Sequence, residues 1–99
     1  MLNKNISKDK VIACSITIFG DVQGVFFRKL SKEKAKEFNI TGFVRNLDDK
    51  TVYIECEGKR DALNKFITWC KHGPDFANVT DVRIANIPMK NFRDFSVVY

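Results

Sequence analysis

The fold is decided by residues 11–38, which read VIACSITIFGDVQGVFFRKLSKEKAKEF. In the first part of this stretch apolar residues alternate with small or polar ones and several are β-branched, which predicts a strand from Ile12 to about Phe19. A loop containing two glycines then breaks the pattern. From about Val25 the apolar residues recur at helical spacing, which predicts a first helix that runs to about Phe38. The stretch is therefore a strand that leads through a loop into a helix.

A β-hairpin is predicted next. The segments from Ile40 to Arg45 and from Thr51 to Glu57 have strand character, and the polar residues 47–50 between them predict a turn. Strict alternation in the second strand predicts one buried and one wet face of the sheet, with helices covering one side only. The buried set is Val52, Ile54 and Cys56, and the wet set is Tyr53, Glu55 and Glu57.

A second helix and two further strands complete the pattern. Apolar residues at helical spacing from Leu63 to Cys70 predict the helix, which Gly73-Pro74 ends. Strands follow from Val79 to Ile87 and from Asp94 to Tyr99. This order predicts an α+β fold, a ferredoxin-like βαββαβ sandwich with an antiparallel or mixed sheet, two helices on one face and a short extra strand at the C-terminal end.

Length and composition narrow the function classes. The 99 residues make one domain, which we place at residues 11–99 after a polar tail of residues 1–10. A hydrophobic content of 44% with nine Phe excludes intrinsic disorder. The sequence contains no run of about 18 apolar residues, so it predicts no membrane-spanning helix. We expect a cytoplasmic protein whose three cysteines are buried reduced thiols. The formal charge of +5 favours anionic partners without choosing among them.

The loop between the first strand and the first helix has two unusual features. No Ser, Thr, Asp or Asn stands directly before the helix, which leaves its first amides without a side-chain cap, and Gly20 and Gly24 let the backbone approach a ligand closely. Arg28 lies in the first turn, where the helix dipole disfavours a cation. A bound oxyanion would turn that cost into attraction. The alternative, that Arg28 simply extends into solvent, fits the residue pattern equally well.

Two segments resemble the signature segments of the acylphosphatase family. They are Gly20-Asp21-Val22-Gln23-Gly24-Val25-Phe26-Phe27-Arg28 and Gly42-Phe43-Val44-Arg45-Asn46. The resemblance spans nearly all of the chain from about Ile12 to Tyr99 and includes Glu57-Gly58, Phe66, Trp69, Gly73-Pro74, Val79 and Val82. Two departures are mild: Phe43 stands where members often have Trp, and Lys50 stands where the hairpin often has Gly.

The resemblance implies a metal-independent and cofactor-free hydrolase of the carboxyl–phosphate bond of small acyl phosphates, which releases inorganic phosphate. Arg28 would bind the phosphate and Asn46 would position the attacking water. Neither a membrane nor a nucleic acid is an expected partner, and we expect a monomer. The remaining phosphate contacts would come from the loop backbone at Asp21, Val22, Gln23, Gly24, Val25, Phe26 and Phe27.

Other notable residues have structural interpretations. We expect His72 to be a solvated residue at the end of the second helix, Phe66 and Trp69 to pack in the core, and Asp48 and Asp49 to be turn residues rather than metal ligands. The lysines of the first helix are expected on its wet face; they are Lys29, Lys32, Lys34 and Lys36.

Two other functions fit the same element order. An RNA-recognition module shares the order and the basic charge, but Glu55 and Glu57 beside Tyr53 would repel phosphates from the open sheet face. A non-catalytic accessory domain of carbamoyl-phosphate metabolism is the second alternative, because acylphosphatase-like domains also occur within larger carbamoyl-transfer proteins. The presence of both Arg28 and Asn46 favours the enzyme.

Overall fold

The computed structural model describes residues 9–99; most of the predicted polar tail, residues 1–8, lies outside the described residues. The described elements occur in the predicted order. They are β1 (Val11–Asp21), α1 (Phe27–Glu37), β2 (Thr41–Asn46), β3 (Val52–Lys59), α2 (Arg60–His72), β4 (Asn78–Asn86) and β5 (Phe95–Val98).

The strands form one mixed sheet in the order β4-β1-β3-β2-β5. The pairs β1–β3, β1–β4 and β2–β3 are antiparallel, whereas β2 and β5 run parallel. This confirms the predicted ferredoxin-like α+β sandwich with an extra short strand. The parallel register places Arg45 of β2 opposite Val98 of β5, so the end of β5 arrives beside Asn46.

The core lies between the sheet and the two helices. Side chains from one face of the sheet meet Phe27, Leu63 and Phe66 from the helices, and all of these are at most 2% exposed. Phe66 stacks on Trp69 with ring centroids 6.1 Å apart, which confirms the predicted packing role of both rings. In the part of the chain that the structure describes, no helix has the length and apolar character needed to cross a membrane.

The opposite face of the sheet is not wet in the way the alternation predicts. Glu57 is only 3% exposed, because residues 87–94, here called the strap, cross this face. The Glu57 carboxylate accepts hydrogen bonds from the backbone N–H groups of Lys90, Asn91 and Phe92 at 2.5, 3.0 and 3.0 Å. The prediction of a wet Glu57 is therefore wrong: a carboxylate can be buried when three amides satisfy its oxygens.

Glu55 is also covered by the strap and is only 9% exposed, so the prediction of a wet position is wrong for this residue as well. Lys90 donates a hydrogen bond to it at 2.6 Å, and the Tyr53 hydroxyl donates another at 2.7 Å. Phe43 contacts both Tyr53 and Phe92, with ring centroids 6.1 and 5.9 Å apart. The aromatic rings on this face therefore pack against one another and the strap, which weakens the RNA-recognition alternative because that function needs rings free to stack on bases.

Two local conformations depart from the sequence-based boundaries. Helix α1 begins at Phe27 rather than Val25 and ends at Glu37 rather than Phe38. The later start has a backbone cause, because Phe26 has a φ of 64° in the left-handed region, which no α-helix accommodates. In the hairpin turn, Lys50 has a φ of 75°, the conformation that favours the glycine often found there.

Candidate active site

The loop that joins β1 to α1 brings backbone amides to the start of the helix. Gly24 has a φ of 73° and Phe26, the N-cap, a φ of 64°, so the chain turns sharply twice. Among the described residues no side chain caps this N-terminus, and no acidic residue lies in the first turn. The first amides of a helix have no partner within the helix, so these N–H groups remain available to an anion. The predicted absence of a cap is thus confirmed.

A cavity of about 300 Å³ opens in front of this loop. Arg28 and Asn46 both line it, although one lies on α1 and the other at the end of β2. The structure therefore brings the two predicted catalytic side chains together. The lining residues are Val22, Gly24, Phe26, Phe27, Arg28, Lys29, Asn46 and Tyr99.

Arg28 is half-buried and held by the end of β5. Its Nη1 donates a hydrogen bond to the carbonyl oxygen of Val98 at 3.1 Å, and its guanidinium carbon lies 4.6 Å from the centroid of the Tyr99 ring. These contacts favour the interpretation of Arg28 as part of a site over an arginine that extends into solvent. A guanidinium has five N–H donors, and the contact with Val98 uses one nitrogen only, so donors remain for an oxyanion.

The side chain of Gln23 joins the loop to the β2–β3 hairpin. Its Nε2 donates hydrogen bonds to the carbonyl oxygens of Leu47 and Thr51, both at 2.9 Å. Thr51 is held in turn by Asp49, whose carboxylate accepts hydrogen bonds from the hydroxyl of Thr51 at 2.5 Å and from its N–H at 3.1 Å. Leu47 directly follows Asn46, so Gln23 fixes the position of the loop relative to Asn46.

The other predicted loop residues divide into two groups. Val22, Gly24, Phe26 and Phe27 line the cavity, whereas Asp21, Gln23 and Val25 do not. Asp21 ends β1 and pairs with Asn78, and the partly buried Val25 packs against the core.

Lys29 and Tyr99 are cavity-lining residues that sequence reasoning missed. Lys29 is exposed, as expected for the wet face of α1, but it lies near the start of that helix, where the cavity opens. The position of Tyr99 depends on the parallel pairing of β5 with β2, and no local sequence signal reports such a pairing.

The cysteines do not line the cavity, and all three are buried and free, as predicted. The sulfur atoms of Cys14 and Cys56 lie 3.6 Å apart. The hydrogen bond to Cys14 and burial raise the pKa of Cys56, and burial raises the pKa of Cys70. Raised thiol pKa values make Cys56 and Cys70 poor nucleophiles at neutral pH.

The remaining singled-out residues lie where structural roles predict. His72 is exposed in the last turn of α2, and Asp49 caps the hairpin turn. The two hydrogen bonds from Thr51 lower the pKa of Asp49. Within residues 9–99 no group of three or more His, Cys, Asp or Glu side chains could hold a metal ion.

Known proteins resemble this chain along most of its length. The family model described as acylphosphatase matches residues 14–97. An acylphosphatase of Ligilactobacillus salivarius is 46% identical over 85 residues, which cover 85% of this chain and 94% of that protein. The solved structure of an acylphosphatase from Coxiella burnetii superposes with a TM-score of 0.86 at 35% identity, covering 89% of this chain and 93% of that one. Full-length HypF in a phosphate- and nucleotide-bound form gives a TM-score of 0.83 at 30% identity, where the match covers 91% of this chain and 12% of that chain.

Proposed function

This chain belongs to the acylphosphatase family and is an enzyme that hydrolyses acyl phosphates, and from that premise we propose that Arg28 holds the phosphate group while Asn46 positions the attacking water. The observation that carries the proposal is one cavity that contains Arg28, Asn46 and an uncapped helix N-terminus. The cation and the amides supply positive charge on one side of a bound phosphate, and the amide of Asn46 supplies a donor and an acceptor for water.

The reaction suits a site with few chemical groups. Water oxygen forms a bond to phosphorus, the bond between phosphorus and the acyl oxygen breaks, and the carboxylate leaves with the electron pair. A carboxylic acid has a pKa of about 4–5, so its anion departs at neutral pH without a protein general acid. Phosphoryl transfer through a loose transition state then depends on positioning and charge stabilisation, which Arg28 and the loop amides provide.

Asn46 acts on the water rather than on the phosphorus. An amide side chain is not basic enough to remove a proton, but its oxygen accepts and its nitrogen donates hydrogen bonds, which orients the water. A phosphate oxygen then takes the proton, and the products are a carboxylate and inorganic phosphate. The proposed site needs no metal and no protein nucleophile. The second point agrees with the burial of the three cysteines and with the raised pKa of Cys56 and Cys70. All of the groups in this site come from one chain, and we propose that the protein acts as a monomer.

The test follows the loss of benzoyl phosphate absorbance with a chelator present. Wild-type protein should turn over the substrate, and Arg28→Ala and Asn46→Ala should each lower kcat by about 10²-fold or more, the size of effect seen when one preorganised donor is removed. Arg83→Ala and Asn86→Ala, on edge strand β4 away from the cavity, are matched controls that should keep wild-type kcat. Full activity in Asn46→Ala would contradict its role.

The accessory-domain alternative has a specific observation in its favour, the likeness to a small part of HypF. The same assay separates the two functions. Binding of inorganic phosphate to wild-type protein without hydrolysis of benzoyl phosphate would support the accessory domain and exclude the enzyme.

A further inference from the structure

The mouth of the cavity carries two exposed aromatic rings that the proposed mechanism does not use. Phe26 is 66% exposed and Tyr99 is 96% exposed, and both line the cavity. Among the described residues only one other large hydrophobic side chain, Phe76, is more than half exposed, and it does not line the cavity. Exposed apolar surface that gathers at a cavity is typical of a binding surface, whereas a single exposed ring elsewhere needs no explanation.

Phe26 is held at this position by an unusual backbone. Its φ of 64° lies in a region that bulky side chains rarely adopt, and it ends the loop that forms the phosphate cradle. Such conformations collect at binding and catalytic sites. The ring does not gain burial from this conformation, because most of its surface remains in water.

Tyr99 lines the same cavity and lies next to Arg28. Its ring lies 4.6 Å from the guanidinium carbon, within the range of a cation–π contact. A substrate phosphate held by Arg28 therefore places the atoms attached to it close to Tyr99. In an acyl phosphate the atoms attached to the phosphate are those of the acyl group.

We propose that Phe26 and Tyr99 form an acyl-binding rim that selects acyl phosphates with an aromatic acyl group over those with a small one such as acetyl. The proposal rests on the proposed function and adds a specificity surface to it. A flat aromatic acyl group can stack on these rings or meet their edges, whereas a methyl group covers little of either. The rim binds the group that leaves, so it affects the choice of substrate and not the reaction at phosphorus.

The test compares kcat/KM for benzoyl phosphate and acetyl phosphate. The variants are Phe26→Ala, Tyr99→Ala, both together, Tyr99→Phe and, as a control ring outside the cavity, Phe76→Ala. Each removal of a rim ring should lower the benzoyl-to-acetyl ratio by about threefold to tenfold, as expected for one aromatic contact. Tyr99→Phe and Phe76→Ala should keep the wild-type ratio.

The possible results are distinguishable. An unchanged ratio in the double variant, with both substrates still hydrolysed, overturns the rim and leaves the proposed function intact. An equal loss on both substrates in Tyr99→Ala also overturns it, because Tyr99 would then only position Arg28. A wild-type protein that hydrolyses neither substrate refutes the proposed function and the rim together.

Discussion

Replacing Gln23 with alanine should lower both the stability of the protein and its rate of acyl phosphate hydrolysis. The reason is that this side chain joins the two halves of the site. Its amide nitrogen donates to the carbonyl oxygens of Leu47 and Thr51, both at 2.9 Å, and Leu47 follows Asn46. We therefore assign Gln23 as a positioning residue that fixes the phosphate loop relative to the proposed water-binding side chain.

The loss of stability can be worked from these two hydrogen bonds. A neutral hydrogen bond contributes about 0.5–1.5 kcal/mol, so two contribute about 1–3 kcal/mol. The carbonyl oxygens are not orphaned, because that of Leu47 also accepts from the N–H of Lys50 at 3.2 Å and that of Thr51 from the N–H of Leu47 at 2.9 Å. The lower part of the range, about 1–2 kcal/mol, is therefore expected. For a domain of this size that lowers Tm by roughly 4–16 °C.

The effect on catalysis comes from geometry. Without the link, the loop and the hairpin can shift relative to each other, and a displacement of about 1 Å can cost up to 10²-fold in rate. We expect a loss of about tenfold in kcat for Gln23→Ala. Gln23→Glu should lose more, because its carboxylate faces two carbonyl oxygens and has no proton to donate to them at neutral pH.

The assay measures kcat on benzoyl phosphate well below Tm, together with Tm itself. Ile67→Val is the matched control, because Ile67 is fully buried on α2 outside the cavity and the change costs about 0.5–1.5 kcal/mol. The control should lose stability and keep its kcat. If Gln23→Ala behaves in the same way, the link is only structural and the positioning role is refuted.

Three further predictions concern the hairpin and the strap. Lys50→Gly should raise Tm by several degrees, because removing Cβ relieves about 1–2 kcal/mol of left-handed strain, whereas the added entropy of the unfolded chain costs only about 0.5–1 kcal/mol. Lys50→Ala keeps the strain, so an equal gain in Tm for that variant would contradict this account. Glu57→Gln should destabilise the protein by about 2–3 kcal/mol in urea unfolding, because one of the two oxygens that accept strap amides becomes an NH₂ donor; an unchanged midpoint would refute the buried carboxylate. Burial acts to raise the pKa of Glu55, but hydrogen bonds from Lys90 and Tyr53 outweigh it and lower the pKa below 4.5. The Glu55 carboxylate therefore contributes stability above pH 4.5 that is lost as the pH falls through its folded pKa. On the acid side the Tm of wild type should fall more steeply with pH than the Tm of Glu55→Gln. Parallel curves of Tm against pH would exclude this contribution.

Most of the fold follows from residue spacing. The alternation in β1 and β3 and the helical spacing in α2 each depend on neighbours within one element, so the sequence predicts them directly. The start of α1 is different. Phe26 adopts a left-handed conformation that its residue type disfavours, and the surrounding loop imposes it, so no local propensity places the helix start at Phe27.

The face of the sheet away from the helices shows a second limit of prediction from sequence. Alternation assigns Glu57 to the side away from the helices, which is correct, but it cannot report that residues 90–92 return to cover it. The partners are backbone amides, which every residue except proline has, so the sequence has no side-chain signal for the contact. Asn46 is predicted through family resemblance alone, and Arg28 through that resemblance and its disfavoured place in the first turn of a helix. Tyr99 is not predicted, because its position depends on a parallel strand pairing.

The strap and the strand after it also explain how Arg28 is tolerated. A cation in the first turn of a helix opposes the dipole and costs about 0.3–1 kcal/mol when exposed. The hydrogen bond to Val98 and the ring of Tyr99 each contribute a stabilisation of similar size. They can do so only because β5 lies beside β2 and the strap that leads to β5 is fixed by Glu57. The arginine is therefore held at the cavity before any phosphate arrives, and the binding energy of the phosphate need not be used to bring it there.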